Sequence, residues 1–212
     1  MPIISADDTD ELDAVLAVRA HAAPPARLAG DQRGDRPSPA LDEVLRRRRS
    51  VRRFARGDLT RAELLGVLHR ACAVLAAWSD RAPVLPADFV LLTDIDDVAD
   101  LSDGLYRYDT GQLVSIETGD RSAELRARYA DAPALLFVCG PLPRADSGDY
   151  GHRLVGAGAF GYALWLSALS SGLAGSVYGS SAALITATAH RLRPGLRHLF
   201  TVAIGRDGGS GE

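Results

Sequence analysis

Lysine is missing from this 212-residue sequence, in which all 24 basic side chains are arginines. Its absence excludes Schiff-base catalysis, P-loop nucleotide binding and every mechanism that uses a lysine as base. Cysteine is scarce as well, and the two copies, Cys72 and Cys139, lie in apolar segments. That placement is typical of small buried hydrophobes and argues against a disulfide framework.

Several common site signatures are missing too. No G-x-S-x-G surrounds a serine, which removes the usual hydrolase signal. No two histidines are four residues apart and none has a zinc-ligand spacing to cysteine, so we predict no metal site; the histidines are His21, His69, His152, His190 and His198. The formal net charge of −3 is unlike the broadly basic face of a nucleic-acid binder.

The sequence also lacks targeting and membrane signals. Its first residues contain no basic-then-apolar segment, and the apolar run at 153–171 is too short and too rich in glycine to cross a membrane. We therefore expect a cytoplasmic protein with no nucleic-acid or membrane partner.

The arginines that are present include one dense cluster. Residues Arg46 to Phe54 read RRRRSVRRF, with six guanidinium groups in nine positions. Such groups repel one another and need an anionic partner, which is either solvent counter-ions or a group with several oxygens such as a phosphate. Arginines at the end of a helix also complement its dipole, so a solvated helix end remains the alternative.

Helix signals lie on both sides of this cluster. Upstream, Ser38 and Pro39 predict the N-cap and first residue of a short helix that runs into the arginines. Downstream, Thr60 and Glu63 form a capping box, with Leu59 and Leu64 as its hydrophobic staple. A loop held between two helices favours the phosphate interpretation over a free basic segment.

The remaining pattern mixes helices with strands and predicts an α+β fold. Residues 7–20 predict an amphipathic helix, and 22–39 predict an irregular arm. An Asp109-Thr110-Gly111 turn predicts a β-hairpin, and 153–171 predict a helix buried on all sides. The other predicted elements are helices at 60–78, 121–130 and 181–192, and strands at 89–93, 134–139 and 199–204.

One formal motif match is rejected on its context. Residues 156–161 read GAGAFG, which fits the dinucleotide fingerprint G-x-G-x-x-G. No strand leads into it, and no acidic residue follows about 20 positions later. Glycine and alanine here more simply allow another element to pack closely against a buried helix.

Taken together, the motifs resemble a known family. RRSVRRF before a capped helix is similar to the phosphate-binding opening of the flavin-dependent nitroreductase superfamily. GLYRYD, the helix GAGAFGYALWLSALSSGL and the closing strand TVAIG resemble its SagB/ThcOx/McbC branch, the azoline dehydrogenases. The resemblance implies a nitroreductase-like FMN-binding domain over 40–206, with a central antiparallel or mixed sheet surrounded by helices and a buried central helix. Residues 1–39 would then be an N-terminal helix and arm, and 207–212 a flexible tail.

The resemblance also implies site residues. The FMN phosphate and ribityl chain would be held by Arg48, Arg49, Ser50 and Arg52. The flavin ring would lie near Tyr178 and Gly179, which would offer it backbone groups. A homodimer, or a heterodimer with a related subunit of a biosynthetic pathway, is expected with flavin at or near the interface.

The sequence departs from the branch where the chemistry would occur. A Gln-Asn pair of the branch is replaced by Tyr162 and Ala163, and the lysine of its Lys-Tyr pair is absent. The pair maps near Asp149 and Tyr150, so Tyr150 is the candidate base and Asp149 its helper.

Three functions therefore stay open. The first is dehydrogenation of thiazoline or oxazoline rings in a modified peptide. The second is NAD(P)H-dependent reduction of nitro compounds or quinones. The third is a scaffold subunit that has lost catalysis.

Overall fold

The structure is a computed structural model that describes residues 39–79, 88–116 and 122–209. The predicted helix at 7–20 and the arm up to residue 38 lie outside this part of the chain. The described residues form five helices: α1 (Leu41–Arg47), α2 (Arg61–Ser79), α3 (Ser122–Arg128), α4 (Asp149–Ser170) and α5 (Ala183–Leu192). They also form nine strands: β1 (Phe54–Ala55), β2 (Leu59–Thr60), β3 (Val90–Ile95), β4 (Val98–Ala99), β5 (Gly104–Asp109), β6 (Gln112–Ile116), β7 (Ala134–Pro141), β8 (Ala174–Tyr178) and β9 (Leu196–Asp207).

A seven-stranded antiparallel sheet forms the centre of the fold. Its strands lie in the order β1-β9-β7-β3-β5-β6, and β8 pairs with β9 beside this path. Strand β9 is long enough to pair with β7 along one side and with β8 and β1, in succession, along the other. A separate two-stranded parallel pair joins β2 to β4.

Helices cover both faces of the sheet. Helices α2 and α4 share one buried cluster with alternate residues of the central strands, among them Leu136 and Val138 of β7. Helices α3 and α5 pack with the intervening residues, among them Leu135 and Phe137. Because β7 is buried on both faces, its sequence is a continuous apolar run and lacks polar alternation.

The predicted fold class is confirmed. Strands β5 and β6 form the expected hairpin, and Thr110 and Gly111 make its turn with φ values of 45° and 86°. The capping box is present, since the Thr60 N–H donates to a Glu63 carboxylate oxygen at 3.0 Å and the Glu63 N–H donates to the Thr60 hydroxyl at 3.2 Å. Helix α4 has a buried middle, but it is not buried on all sides as predicted, because Leu154 and Val155 near its start are exposed.

Two of the boundaries that differ from the sequence prediction lie next to the arginine cluster or the C-terminal tail. Helix α1 begins at Leu41, two residues later than predicted, because the Ala40 carbonyl accepts the first helical N–H groups, from Glu43 and Val44. At the other end, β9 extends to Asp207, and the Gly208 N–H donates to the Arg53 carbonyl at 3.0 Å. The first two residues of the segment assigned to a tail are therefore part of the fold.

Candidate functional site

The arginine cluster forms a loop that is bonded to the edge of the sheet. Ser50 forms an isolated bridge with Gly175 of β8, and the N–H of the buried Val51 donates to the Gly175 carbonyl at 3.0 Å. The loop then enters β1, which pairs with the end of β9. These backbone bonds place the arginine side chains beside β8 and the C-terminal half of α4.

Half of the six arginines are neutralised by carboxylates. The first two form exposed ion pairs one helical turn away, at 2.5 and 2.6 Å, and a third pairs across to β9; the pairs are Arg46–Asp42, Arg47–Glu43 and Arg49–Asp207. Arg46 and Arg47 therefore fit the alternative interpretation, in which arginines lie at the end of a helix and need no bound phosphate. Arg49 was predicted to bind phosphate, but its guanidinium is already paired with the Asp207 carboxylate.

Arg48 has a different environment. Its Nη1 donates to the Tyr162 hydroxyl at 2.7 Å, and its guanidinium carbon lies 5.5 Å from the Tyr162 ring centre and 5.2 Å from that of Trp165. Both rings belong to α4. Within the described ranges, no carboxylate pairs with Arg48 or with the exposed Arg52. Arg53, which is also exposed, has no carboxylate partner among these residues either, so three positive charges of the loop are not neutralised there.

The other predicted cofactor residues lie at the far end of β8. Tyr178 ends this strand, three residues after Gly175 and about 10 Å along it. The Tyr178 hydroxyl is buried without a hydrogen-bond partner, whereas Gly179 is exposed. The residues predicted to bind one cofactor therefore lie near two places on β8: the arginine loop beside Gly175, and Tyr178 with Gly179 at the end of the strand.

The loop after Tyr178 is held by three hydrogen bonds. The Tyr129 hydroxyl donates to the Ser180 carbonyl at 2.9 Å, and an Arg128 Nη donates to the Ser181 carbonyl at 2.8 Å. The Ala182 N–H donates to Nδ1 of the buried His198 at 2.9 Å. The exposed backbone at Gly179 is therefore held between α3 and β9.

The candidate base lies at the start of α4, away from the part of this helix that contacts Arg48. Tyr150 and Asp149 open α4, where Tyr150 is half-buried and Asp149 is exposed. Twelve residues separate Tyr150 from Tyr162, about 18 Å along the helix.

Three residues of this site, Tyr162, Trp165 and Gly175, were not predicted from the sequence to take part in it. Trp165 follows Tyr162 by three positions, a spacing that places both rings on one face of a helix and could have indicated them as a pair. Gly175 gave no such signal. A Cβ at this position would lie 2.8 Å from Trp165 Cδ1 and 2.9 Å from the Ala203 carbonyl oxygen, so its role depends on contacts between distant segments.

The rejected dinucleotide motif lies inside α4. Its six residues are helical, and no strand leads directly into them. A Cβ at Gly161 would collide with the Phe200 ring, whereas a Cβ at Gly158 would meet nothing within 4 Å. Within the described residues, no group of histidine, cysteine or acidic side chains could hold a metal ion, and no helix is long and apolar enough to cross a membrane.

Comparison with known proteins agrees with this architecture. The model of the nitroreductase family matches residues 45–206. A protein from Ralstonia eutropha described as a nitroreductase superposes with a TM-score of 0.62 at 22% identity, over 84% of this chain and 88% of its own. One from Anabaena variabilis gives 0.58 at 21% identity over 78% of this chain, which spans only 38% of the Anabaena chain. Nitroreductase A from Vibrio parahaemolyticus gives 0.52 at 17% identity, over 81% and 70%. No curated protein matches the sequence.

The chain therefore belongs to the nitroreductase family, and it is an oxidoreductase of that family. Members of this family generally use FMN. At these identities the structural neighbours establish the fold and leave the substrate open.

Proposed function

We propose that the protein is an FMN-dependent oxidoreductase whose arginine loop binds the cofactor phosphate. One observation carries this proposal: Arg48 and Arg52, on either side of Ser50, have no carboxylate partner in the described part of the chain, and neither does Arg53, whereas Arg46, Arg47 and Arg49 are neutralised. Two guanidinium groups and a hydroxyl fit a phosphate dianion, which accepts several charge-assisted hydrogen bonds.

The flavin ring would lie toward the other end of β8. There, Tyr178 and Gly179 would meet it, with the exposed Gly179 backbone as the polar contact. The buried, unpartnered Tyr178 hydroxyl supports this placement, because a buried polar atom without a partner costs free energy that a ligand contact can recover.

We further propose that the substrate is a thiazoline or oxazoline ring in a modified peptide. The support is the resemblance of GLYRYD, which forms strand β5, and of the α4 sequence to the azoline dehydrogenase branch. When bound, FMN would supply a two-electron acceptor, so that the ring loses a hydride to it and a proton to a base, and dioxygen restores the oxidised cofactor. Tyr150 would take the proton, with Asp149 as its helper, and the N-terminus of α4 favours negative charge at both positions.

The test of cofactor binding is a double substitution with a matched control. Arg48→Ala with Arg52→Ala should yield folded, colourless protein, since charge-assisted contacts of this kind are worth on the order of 2 to 5 kcal/mol. Arg46→Ala with Arg47→Ala removes as many charges from the same cluster and should leave the protein yellow. Stoichiometric FMN in the first variant would contradict the proposal.

The substrate is tested by single-turnover flavin reduction. An azoline peptide should bleach the flavin of the wild-type protein, and Tyr150→Phe should slow that step by about 10²- to 10⁴-fold. Bleaching by NAD(P)H alone would instead identify a nitro- or quinone-reducing enzyme. Flavin that neither donor reduces, in a protein that binds pathway partners, would identify a scaffold subunit.

A further inference from the structure

Arg48 is held by more contacts than the other arginines of the loop. Its guanidinium lies over two aromatic rings, Tyr162 and Trp165, and one of its N–H groups is bonded to the Tyr162 hydroxyl. The two rings pack edge to face, with centres 6.1 Å apart and an interplanar angle of 77°. Hydrogen bonding and cation–π attraction thus act on the same group.

The aromatic pair is itself fixed by the fold. Trp165 is only 6% exposed and packs against Gly175, whose missing side chain leaves room for the indole. The same Gly175 accepts the Val51 N–H through its carbonyl. The backbone of the arginine loop and the guanidinium of Arg48 are therefore both positioned by α4 and β8.

These contacts leave most of the guanidinium available. Arginine has five N–H donors, and the Tyr162 hydroxyl accepts one of them. No carboxylate among the described residues neutralises Arg48, although its neighbours Arg47 and Arg49 each have one. A guanidinium group that is oriented by its neighbours but not neutralised by a carboxylate is suited to bind an anion with several oxygens.

We propose that Tyr162 and Trp165 are positioning residues that orient Arg48 toward the phosphate of FMN, and so make the site prefer FMN to riboflavin. This inference rests on the proposed function. Because the side chain of Arg48 is already confined, it loses less conformational entropy when it binds phosphate than a free surface arginine would. The benefit is confined to ligands that carry the phosphate.

The test compares dissociation constants for FMN and riboflavin, measured by flavin fluorescence at one ionic strength. Tyr162→Phe keeps the ring and removes only the hydroxyl, so it should weaken FMN binding by about threefold to tenfold and leave riboflavin binding unchanged. Tyr162→Leu and Trp165→Leu each remove an aromatic face and should also act on FMN alone. Tyr106→Phe is the control, since it removes a hydroxyl bonded to Ser102 in another part of the fold.

A double-mutant cycle separates positioning from general stability. In an Arg48→Ala background, Tyr162→Phe should cost nothing further, because the group it positions is gone. Thermal melts identify any variant that fails to fold, and if Trp165→Leu does so, Tyr162→Phe and Tyr162→Leu carry the test. Equal losses of affinity for FMN and riboflavin, or additive losses of FMN affinity in the cycle, would overturn the inference. FMN binding by the wild type would still support the proposed function. A wild-type protein that binds no FMN would overturn both.

Discussion

At the scale of single residues, His198 is a buried histidine with a defined role. Its Nδ1 accepts the Ala182 N–H, so the proton is on Nε2, which lies 2.8 Å from the Thr201 hydroxyl and 3.1 Å from the Phe200 carbonyl. Ala182 is the N-cap position of α5 and has no side-chain cap of its own. The imidazole therefore accepts the N–H of the N-cap residue, the hydrogen bond that an N3 side chain accepts in a capping box.

This arrangement predicts a pH dependence of stability. Burial lowers the pKa of His198 from 6.5 to about 4, because the charged form would be desolvated. Between these values the unfolded chain binds more protons than the native one, so the free energy of unfolding falls as the pH is lowered through this range. Urea denaturation should show wild-type protein losing about 2 kcal/mol through His198 between pH 7 and pH 5. His198→Gln should flatten that slope, and His69→Gln, at an exposed site, should not. Parallel pH profiles for wild type and His198→Gln would contradict the assignment.

Two glycines of the GAGAFG segment should respond oppositely to alanine. Gly161→Ala places a methyl group against the Phe200 ring in a buried position and should destabilise the protein by about 1 to 3 kcal/mol. Gly158→Ala meets nothing within 4 Å in the same helix and should stabilise it by roughly 0.5 to 1 kcal/mol, since glycine loses more backbone entropy in a helix. Thermal unfolding of the pair checks both signs, and a loss of stability in both variants would argue against this packing.

At the scale of elements, the start of α2 is anchored to the sheet through one carboxylate. Glu63 accepts from the Thr60 N–H and hydroxyl in the capping box, and also from Arg206 of β9 at 2.6 Å. Burial alone would raise the pKa of Glu63, but the hydrogen bonds from Thr60 and Arg206 outweigh it and lower the pKa below 4.5. Its contribution to stability is present above that value and is lost as the pH falls through the lowered native pKa.

Removal of the cap should cost a defined amount. Thr60→Ala deletes the hydroxyl that accepts the Glu63 N–H, and we expect a loss of about 1 kcal/mol in the free energy of unfolding. Thr60→Ser keeps an oxygen in the same place and should retain most of that stability. Urea titration at pH 7 provides the measurement; equal losses in the two variants would assign the effect to the methyl group and not to the cap.

At the scale of the whole molecule, oligomerisation is still a prediction. The middle of α4 is buried within a single chain, so its apolar character alone does not require a partner. Helix α1 packs against α4, and both carry exposed aliphatic side chains: Leu41 is 63% exposed and Val155 is 71% exposed. Large exposed apolar side chains on neighbouring elements favour an interface here.

We expect a homodimer, with α1 and the start of α4 at its interface. Light scattering at micromolar concentration should give twice the 22.5 kDa of one chain. Leu41→Glu with Val155→Glu should shift the mass to that of the monomer, because burying carboxylates in an apolar contact is costly. Val114→Glu, at an exposed site on β6, should not shift it. A wild-type monomer that binds FMN without a partner would exclude the dimer.

Features specified by near neighbours in sequence were predicted correctly. The turn at Thr110 and Gly111, the capping box of Thr60 and Glu63 and the buried strand β7 each depend on local conformational preference or on a short apolar run. Because such signals are contained within a few consecutive residues, they can be recognised in the sequence without knowledge of the fold. The arginine loop was predicted for the same reason.

Which arginines of that loop remain available was decided only by the tertiary structure. The pairing of Arg49 with Asp207 spans 158 positions, and that of Arg48 with Tyr162 spans 114. All six guanidinium groups are chemically alike in the sequence, and what distinguishes them is the side chain that the sheet and α4 bring beside each one. The sequence thus determined that a basic loop would follow α1. Packing determined which of its charges are neutralised by the protein and which are not, because contact at long range depends on the folded path of the chain.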